Sequence, residues 1–275
     1  MGFSVVTNLS SLNAQQELGQ TRMNLQQTLT RLSSGLRINT SADDAAGLAI
    51  ANRDLLDNTG LTVGIQASND AISQLQIKDG AASNVTALLN RALTLATQAA
   101  STTFSGSRTT LDNEFQSVLS EITRNASAAG LQTGSADLSS RSVFVGNTTI
   151  NTSASVSYVS WTLTTAVDAQ GLGVSTQNIT SQTNAAAAIT ALQSAIGTLG
   201  TVQGAVGSAM NRLQFAINEA QTMSTSVQAA RSRLMDADMA QEATNMTKFN
   251  ILQQSGMAAL AQANTSNASV LNLLR

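Results

Sequence analysis

The sequence predicts a mainly α-helical protein, an elongated nested helical bundle of coiled-coil pairs with a small β-hairpin region in mid-chain. Three observations carry this reading. Steps of four and three alternate along positions 61, 65, 68, 72, 75, 79, 82, 86, 89, 93 and 96, and again along 189, 192, 196, 199, 203, 206, 210, 213, 217 and 220. That is the spacing of a heptad seam, here with some polar interruptions. Both chain ends are patterned for helix and nearly free of charge: no charged side chain occurs in 1–16 or in 249–274. The stretch 131–183 is instead rich in Ser, Thr, Gly and Asn and holds the only Trp and the only Tyr, in runs that read as strands.

The first helix is expected over 4–34. Val5, Leu9, Leu12 and Met23 mark one apolar stripe, and Leu25, Leu29, Leu32 and Leu36 mark another. Two stripes on one helix call for neighbours on two sides. Gly35 stops the helix as a C′ glycine, and 36–40 is a short connector. In Ser41-Ala42-Asp43-Asp44, Ser41 can cap the next helix with Asp44 at the third helical position, and both acids complement its N-terminus. That helix is expected over 43–99, weakened at Gly60, Gly64 and Gly80, with a bend near Gly60.

A Ser/Thr/Gly loop over 101–107 leads to a helix starting near Arg108. It carries Leu111, Phe115, Val118, Leu119 and Ile122 on one face and ends around Ala129-Gly130. Val143–Val145 and Val156–Leu163 read as the strands of a hairpin at about 142–164, and the whole of 133–183 reads as exposed. The last long helix begins near Asn184 and can lie against the 43–99 helix as a coiled-coil partner, with 230–238 as a junction.

In the final stretch Phe249, Leu252, Met257, Leu260 and Ala263 recur at helical spacing, and Gln253, Gln254, Gln262 and Asn264 fill the gaps. An uncharged polar face can be enclosed by other protein at modest desolvation cost. The expected layout is nested: the terminal helices pair, the long helices pair inside them, and one end of a rod holds both termini while the other holds the hairpin.

Composition excludes several functions. Only 11% of the 275 residues are charged and the net charge is −2, so no basic footprint for nucleic acid exists. A chain so poor in charge is a poor colloid, and ordered self-association is a natural destination. There is no Cys, so no disulfide or thiolate chemistry, and no His, the commonest general base and metal ligand. There is also no Pro, where about 14 would be usual. No apolar run reads as membrane-spanning, no Sec-type signal is recognised, and no cofactor is called for. Asp43-Asp44 and Asp236-Ala237-Asp238 are acidic pairs of the kind used in metal or acid–base chemistry. Their places at a helix cap and a helix junction favour structural roles, and no enzyme is expected. Asn-x-Ser/Thr triplets, as at Asn84 and Asn151, are what a chain rich in these residues produces by chance.

The ends of the chain carry long motifs. Near the N-terminus stand Thr30-Arg31-Leu32-Ser33-Ser34-Gly35-Leu36-Arg37-Ile38-Asn39 and Ala42-Asp43-Asp44-Ala45-Ala46-Gly47-Leu48-Ala49-Ile50-Ala51. Near the C-terminus stand Ala230-Arg231-Ser232-Arg233-Leu234-Met235-Asp236-Ala237-Asp238, Ile251-Leu252-Gln253-Gln254-Ser255-Gly256, Leu260-Ala261-Gln262-Ala263-Asn264 and Val270-Leu271-Asn272-Leu273-Leu274-Arg275. In these the chain resembles bacterial flagellin over essentially its whole length. It departs from many members at 265–269, where Thr-Ser-Asn-Ala-Ser replaces a proline-containing stretch, and it has no residues to build the outer domains of larger members.

The resemblance implies a structural subunit that self-assembles into a helical filament for motility. Residues 1–42 with 235–275 would form a terminal coiled-coil filament-core domain, and 43–234 a helical domain around it. Assembly would rest on Leu9, Leu12, Leu25, Leu29, Leu32, Phe249, Leu252, Leu260, Leu271 and Leu274. The resemblance also implies an extracellular, flagellar location, reached through a type III export apparatus without a cleaved signal peptide. An export chaperone, a filament cap and hook-junction proteins are the implied partners besides the chain itself, with no nucleic acid and no membrane. The hook–filament junction protein shares the terminal architecture and is the alternative; the 42–51 run and the 260–275 ending favour flagellin. Some flagellins are bound by Toll-like receptor 5, and Leu89–Ala96 resembles that surface in Arg91 and Leu95. It lacks an acid at Thr94 and a second basic residue at Leu93, which implies weak recognition at most.

Overall fold

The computed structural model describes residues 7–147 and 156–273; the side chains of Asp137, Asn147, Val156 and residues 267–273 lie outside that description. In order the elements are α1 (Leu9–Ser34), α2 (Ala45–Ala100), α3 (Arg108–Ala128), a 3-10 turn (Ala136–Leu138), β1 (Arg141–Asn147), β2 (Val156–Trp161), α4 (Gln182–Met235) and α5 (Met239–Leu273). The chain divides into two compact units, residues 57–225 and residues 1–56 with 226–275.

The 57–225 unit closes its own core. The expected heptad row of α2 is inward: Leu61, Ser68, Leu75, Ala82, Leu89 and Ala96 are buried, and the positions between them are half-buried. In α4, Leu192, Leu199, Val206, Leu213, Ile217 and Ala220 are buried on the expected row. The two helices share one core with α3, whose Phe115, Leu119, Ile122 and Ala126 are buried at steps of four, three and four. Each long helix also buries a second row. In α2 it runs Gly64, Ala71, Lys78, Val85, Ala92 and Ala99; in α4 it includes Ala188, Ala195, Val202 and Ala209. The α4 sequence includes a window long and apolar enough by composition to cross a membrane, with mean hydropathy 1.4, contrary to the expectation that no run would qualify. Part of that apolar content makes up the two rows that line this core.

The hairpin forms as expected, with β1 and β2 antiparallel and Val143 opposite Val159. Val143, Val159 and Trp161 pack against the core, while Phe144 meets Tyr158 edge-to-face at 6.2 Å between ring centres. The register shifts between Phe144 and Gly146, and there β1 meets α2. A Cβ on Gly64 would run into the Val145 carbonyl, so Gly64 is a site of close backbone approach, not only a weak point in a helix that runs unbroken from 45 to 100. Leu61, Val145, Val159, Ala216, Ala220 and Met223 surround a 110 Å³ cavity at this contact.

The segment after β2 corrects the expectation of an exposed 133–183 stretch. Leu163, Val167, Val174 and Ile179 are fully buried and Ala166, Ala169 and Leu172 nearly so. The backbone groups this burial takes from water find partners. Val167 N donates to Leu131 O at 2.9 Å, Ile179 N to Asp112 Oδ1 at 2.8 Å, and Gln116 Nε2 to Gln177 O at 2.9 Å. Buried Asp168 accepts from Thr133 Oγ1 at 2.8 Å and Gly171 N at 2.9 Å. Lys78 is buried too, and its Nζ donates to Ala129 O at 3.2 Å, a cation on the carbonyl end of α3. Burial pushes the Lys78 ammonium below its usual range, with the nearby Arg141 charge adding to the effect.

Candidate assembly interface

Within the other unit α1 and α5 pair antiparallel. Asn8 Nδ2 donates to Ala263 O at 2.9 Å, Leu18 packs against Gly256, and Arg31 Nη1 lies 3.5 Å from Glu242 Oε1. The Asn8 side chain also caps α1, accepting from Ser11 N at 3.0 Å. At the other end Gly35 has φ 73° and closes the helix onto Arg31 O, as expected of a C′ glycine.

The seam of this pair is largely polar or small. In α1 its inward row runs Ser11, Ala14, Leu18, Thr21, Leu25, Thr28 and Leu32, of which only Thr28 is fully buried. In α5 it runs Glu242, Met246, Phe249, Gln253, Gly256, Leu260 and Ala263. Of the ten residues expected to drive assembly, Leu25, Leu32, Phe249 and Leu260 therefore lie within the pair, half-buried. Leu9, Leu12, Leu29 and Leu252 lie outside it; Leu9 is 70% exposed and Leu12 54%. The Leu271 side chain and Leu274 are outside the described residues. Exposed apolar groups on the same pair that the sequence reading did not include in that set are Met23, Met239, Ile251 and Met257. The signal was present in the first stripe of α1, which held Met23.

Where α1 ends, the chain is clamped. Arg37 N donates to Met235 O at 2.6 Å, Ala237 N to Gly35 O at 2.9 Å, and Arg37 Nη2 to Leu234 O at 2.8 Å, so the connector closes the carbonyl end of α4. Ile38, Ala51 and Met235 form a small core beside these bonds. Helix α4 thus runs to Met235, and the expected 230–238 junction shortens to three residues.

The acids of this region do not act as expected in detail. Asp44, not Ser41, caps α2: its Oδ1 accepts from Gly47 N at 2.8 Å. Asp43 instead ties the preceding turn to α1. It accepts from Asn39 N at 3.1 Å, Thr40 N at 2.9 Å, Thr40 Oγ1 at 3.0 Å and Gln27 Nε2 at 2.8 Å. The Thr40 N–H, then the Gln27 amide and the Asn39 N–H, hold the Asp43 carboxyl at about 2, because each hydrogen bond favours the charged form. Asp238 caps α5, accepting from Ala240 N at 3.0 Å and Gln241 N at 3.1 Å, and Asp236 accepts from the Ser232 hydroxyl. Among the described residues no group of acids is placed to hold a metal ion.

Sequence reasoning missed one pair here. Glu242 is only 8% exposed in the first turn of α5, where a helix N-terminus favours a carboxylate. Arg31 reaches both it and, at 3.9 Å, Asp43. Glu242 Oε2 and Arg31 Nε have no hydrogen-bond partner.

The receptor-facing expectation divides. Arg91 is exposed on α2, and its Nε donates to Glu114 Oε1 of α3 at 3.1 Å. Leu95 is 1% exposed inside the 57–225 core, one residue before the buried Ala96, so it does not face a partner. The reason is the second inward row, whose neighbourhood takes Leu95 in with Ala92 and Ala99.

The family model described as the bacterial flagellin N-terminal helical region matches residues 5–132, and that described as the bacterial flagellin C-terminal helical region matches 188–274. A flagellin of Halalkalibacterium halodurans is 34% identical over 98% of each chain. Flagellin FlaB2 of Treponema pallidum is 33% identical over 98% of each, and so is the flagellar filament 33 kDa core protein of Treponema phagedenis. The chain belongs to the bacterial flagellins.

Proposed function

We propose that this chain is a structural subunit that self-assembles into the helical bacterial flagellar filament outside the cell, and that the α1–α5 pair is the element through which it assembles. The observation that carries the second part is the apolar outer face of the pair. Its inner rows mix Leu18, Leu25, Leu32, Phe249 and Leu260 with Ser11, Thr21, Thr28 and Gln253, while Leu9, Leu12, Met23 and Ile251 sit outside. Helices gain most of their stability from packing an apolar face, and this face has no cover within its own pair. Copies of the same chain supply it in a polymer. Ordering the pair costs about 1–2 kcal/mol of backbone entropy per residue, so folding of the ends is coupled to assembly.

On this reading residues 1–42 with 235–275 are the filament-core domain and 43–234 the surrounding helical layer, and the capping and clamping roles of the acids go with a protein that does no catalysis. Type III export without a cleaved signal, an export chaperone, the filament cap and the hook-junction proteins belong to the same reading and are supported by family membership alone. For recognition by an innate receptor only Arg91 of the expected pair is presented.

The test is a chain trimmed to residues 43–234. It should be soluble, helical and monomeric and should not polymerise when seeded with filament fragments. Amide exchange in the full-length free subunit should be fast over 9–34 and 240–273 and slow after polymerisation. Growth of the trimmed chain on seeds, or protected ends in the free subunit, would overturn the assignment of the α1–α5 pair.

A further inference from the structure

The chain has no cysteine, so its only sulfur is in eight methionines. Among the described ones, Met235 is buried at 6% exposure, and Met210, Met223 and Met246 are half-buried. The three exposed ones are Met23 at 61%, Met239 at 48% and Met257 at 45%, and all lie on α1 or α5. Met23 stands two heptads from Leu9 on the outward side of α1. Thioethers that are open to solvent are also open to oxidants.

We propose that Met23, Met239 and Met257 are oxidation sites through which a peroxide disables the free subunit for assembly. The inference rests on the assembly role given above to the α1–α5 pair. In the reaction the thioether lone pair attacks one oxygen of hydrogen peroxide, an S–O bond forms and the O–O bond breaks. The departing hydroxide takes the proton from the new sulfur-bound hydroxyl and leaves as water, and the sulfoxide remains. The sulfur loses two electrons and the peroxide gains two. A flexible apolar side chain becomes a polar sulfoxide on the face that polymerisation must desolvate, where burial without a hydrogen-bond partner is costly. Within a filament the same sulfurs are covered, so the sensitivity belongs to the subunit before it adds.

The test treats free subunits and finished filaments with hydrogen peroxide, maps sulfoxide by peptide mass spectrometry and measures the critical concentration for seeded growth. In the free subunit Met23, Met239 and Met257 should oxidise before Met210, Met223 and Met235. In filaments their oxidation should be slower than in the free subunit, because susceptibility follows exposure. The critical concentration should rise at least about tenfold, consistent with burial of an unpaired polar group, and methionine sulfoxide reductases of both epimer classes should restore it. In a chain carrying Met23→Leu, Met239→Leu and Met257→Leu the ratio of treated to untreated critical concentration should fall to about one; if that chain does not grow at all, the reductase arm decides. Unchanged growth of subunits oxidised at the three sites, growth not restored by the reductases, or undiminished sensitivity of the triple variant would overturn the proposal. Leu9→Asp separates the two readings. If it blocks growth while sulfoxide does not, only the redox inference fails; if it grows normally, the assembly assignment fails first.

Discussion

The two units of this chain use helices of similar composition in opposite ways. In residues 57–225 the long helices turn Leu75, Leu89, Leu192, Leu199 and Leu213 inward, together with Phe115 and Ile122, and leave them no exposure to speak of. In the α1–α5 pair the inward rows mix Leu18, Leu25, Leu32, Phe249 and Leu260 with Ser11, Thr21, Thr28, Gln253 and Gly256 and bury few of them fully, while Leu9, Leu12, Met23, Ile251 and Met257 look outward. A unit of the first kind is stabilised by itself. A pair of the second kind is stabilised by whatever covers it, and its stability is inseparable from the concentration of its partners. On the proposed reading, the difference separates what keeps the subunit folded from what makes it add to its own kind.

The sharpest way to break this comparison is a matched pair of truncations. Leu89→Ala removes a fully buried side chain and should lower the unfolding free energy of the free subunit by about 2–5 kcal/mol in denaturant titrations. Leu9→Ala should change that quantity by no more than about 0.5 kcal/mol, as surface substitutions do, yet raise the critical concentration for growth. Equal destabilisation by the two would mean that the outward face is already covered in the free subunit.

A smaller effect sharpens the description of the clamp. The Asp43 carboxyl has its folded value lowered from 3.8 to about 2. A lowered carboxyl stabilises the fold at pH values above its unfolded value, and that contribution disappears as pH falls from about 4 through about 2. Thermal unfolding followed from pH 5 to pH 2 should therefore fall more steeply for the natural chain than for Asp43→Asn. Parallel curves would remove Asp43 from the clamp.

The smallest effect is expected at Arg91. Its ion pair with Glu114 is solvent-exposed, so Arg91→Ala should cost no more than about 1 kcal/mol and leave growth unchanged. A reporter-cell assay for innate recognition carried out on the same variant decides whether Arg91 has a receptor role; equal signals from both proteins remove it.

Local pattern determined much of this protein. The 61–96 row could be read as inward because a heptad repeat depends only on residues three and four apart, and every position of it is buried or half-buried. The stop at Gly35, the start of α3 near Arg108 and the two strands were legible for the same reason: each depends on a few neighbouring residues. The terminal motifs were enough to place the chain in its family.

Tertiary structure alone decided the rest, because it turns on groups far apart in sequence. The row of Gly64, Ala71, Lys78, Val85, Ala92 and Ala99 is made mostly of small residues and holds a cation, so it stood out little; Val145 of β1 meets it at Gly64 and Ala129 at the end of α3 meets it at Lys78. Gly64 reads as a weak point in a helix until Val145, 81 residues away, is seen against it. Asp43 and Asp44 each looked like a helix cap, and the approach of Gln27, 16 residues before it, ties Asp43 to α1 while Asp44 caps α2. Which stripe of α1 would face α5 was open as well. Both stripes are apolar enough to be buried, a single helix can offer only one of them to α5, and the antiparallel pairing with α5 left the stripe of Leu9, Leu12 and Met23 exposed.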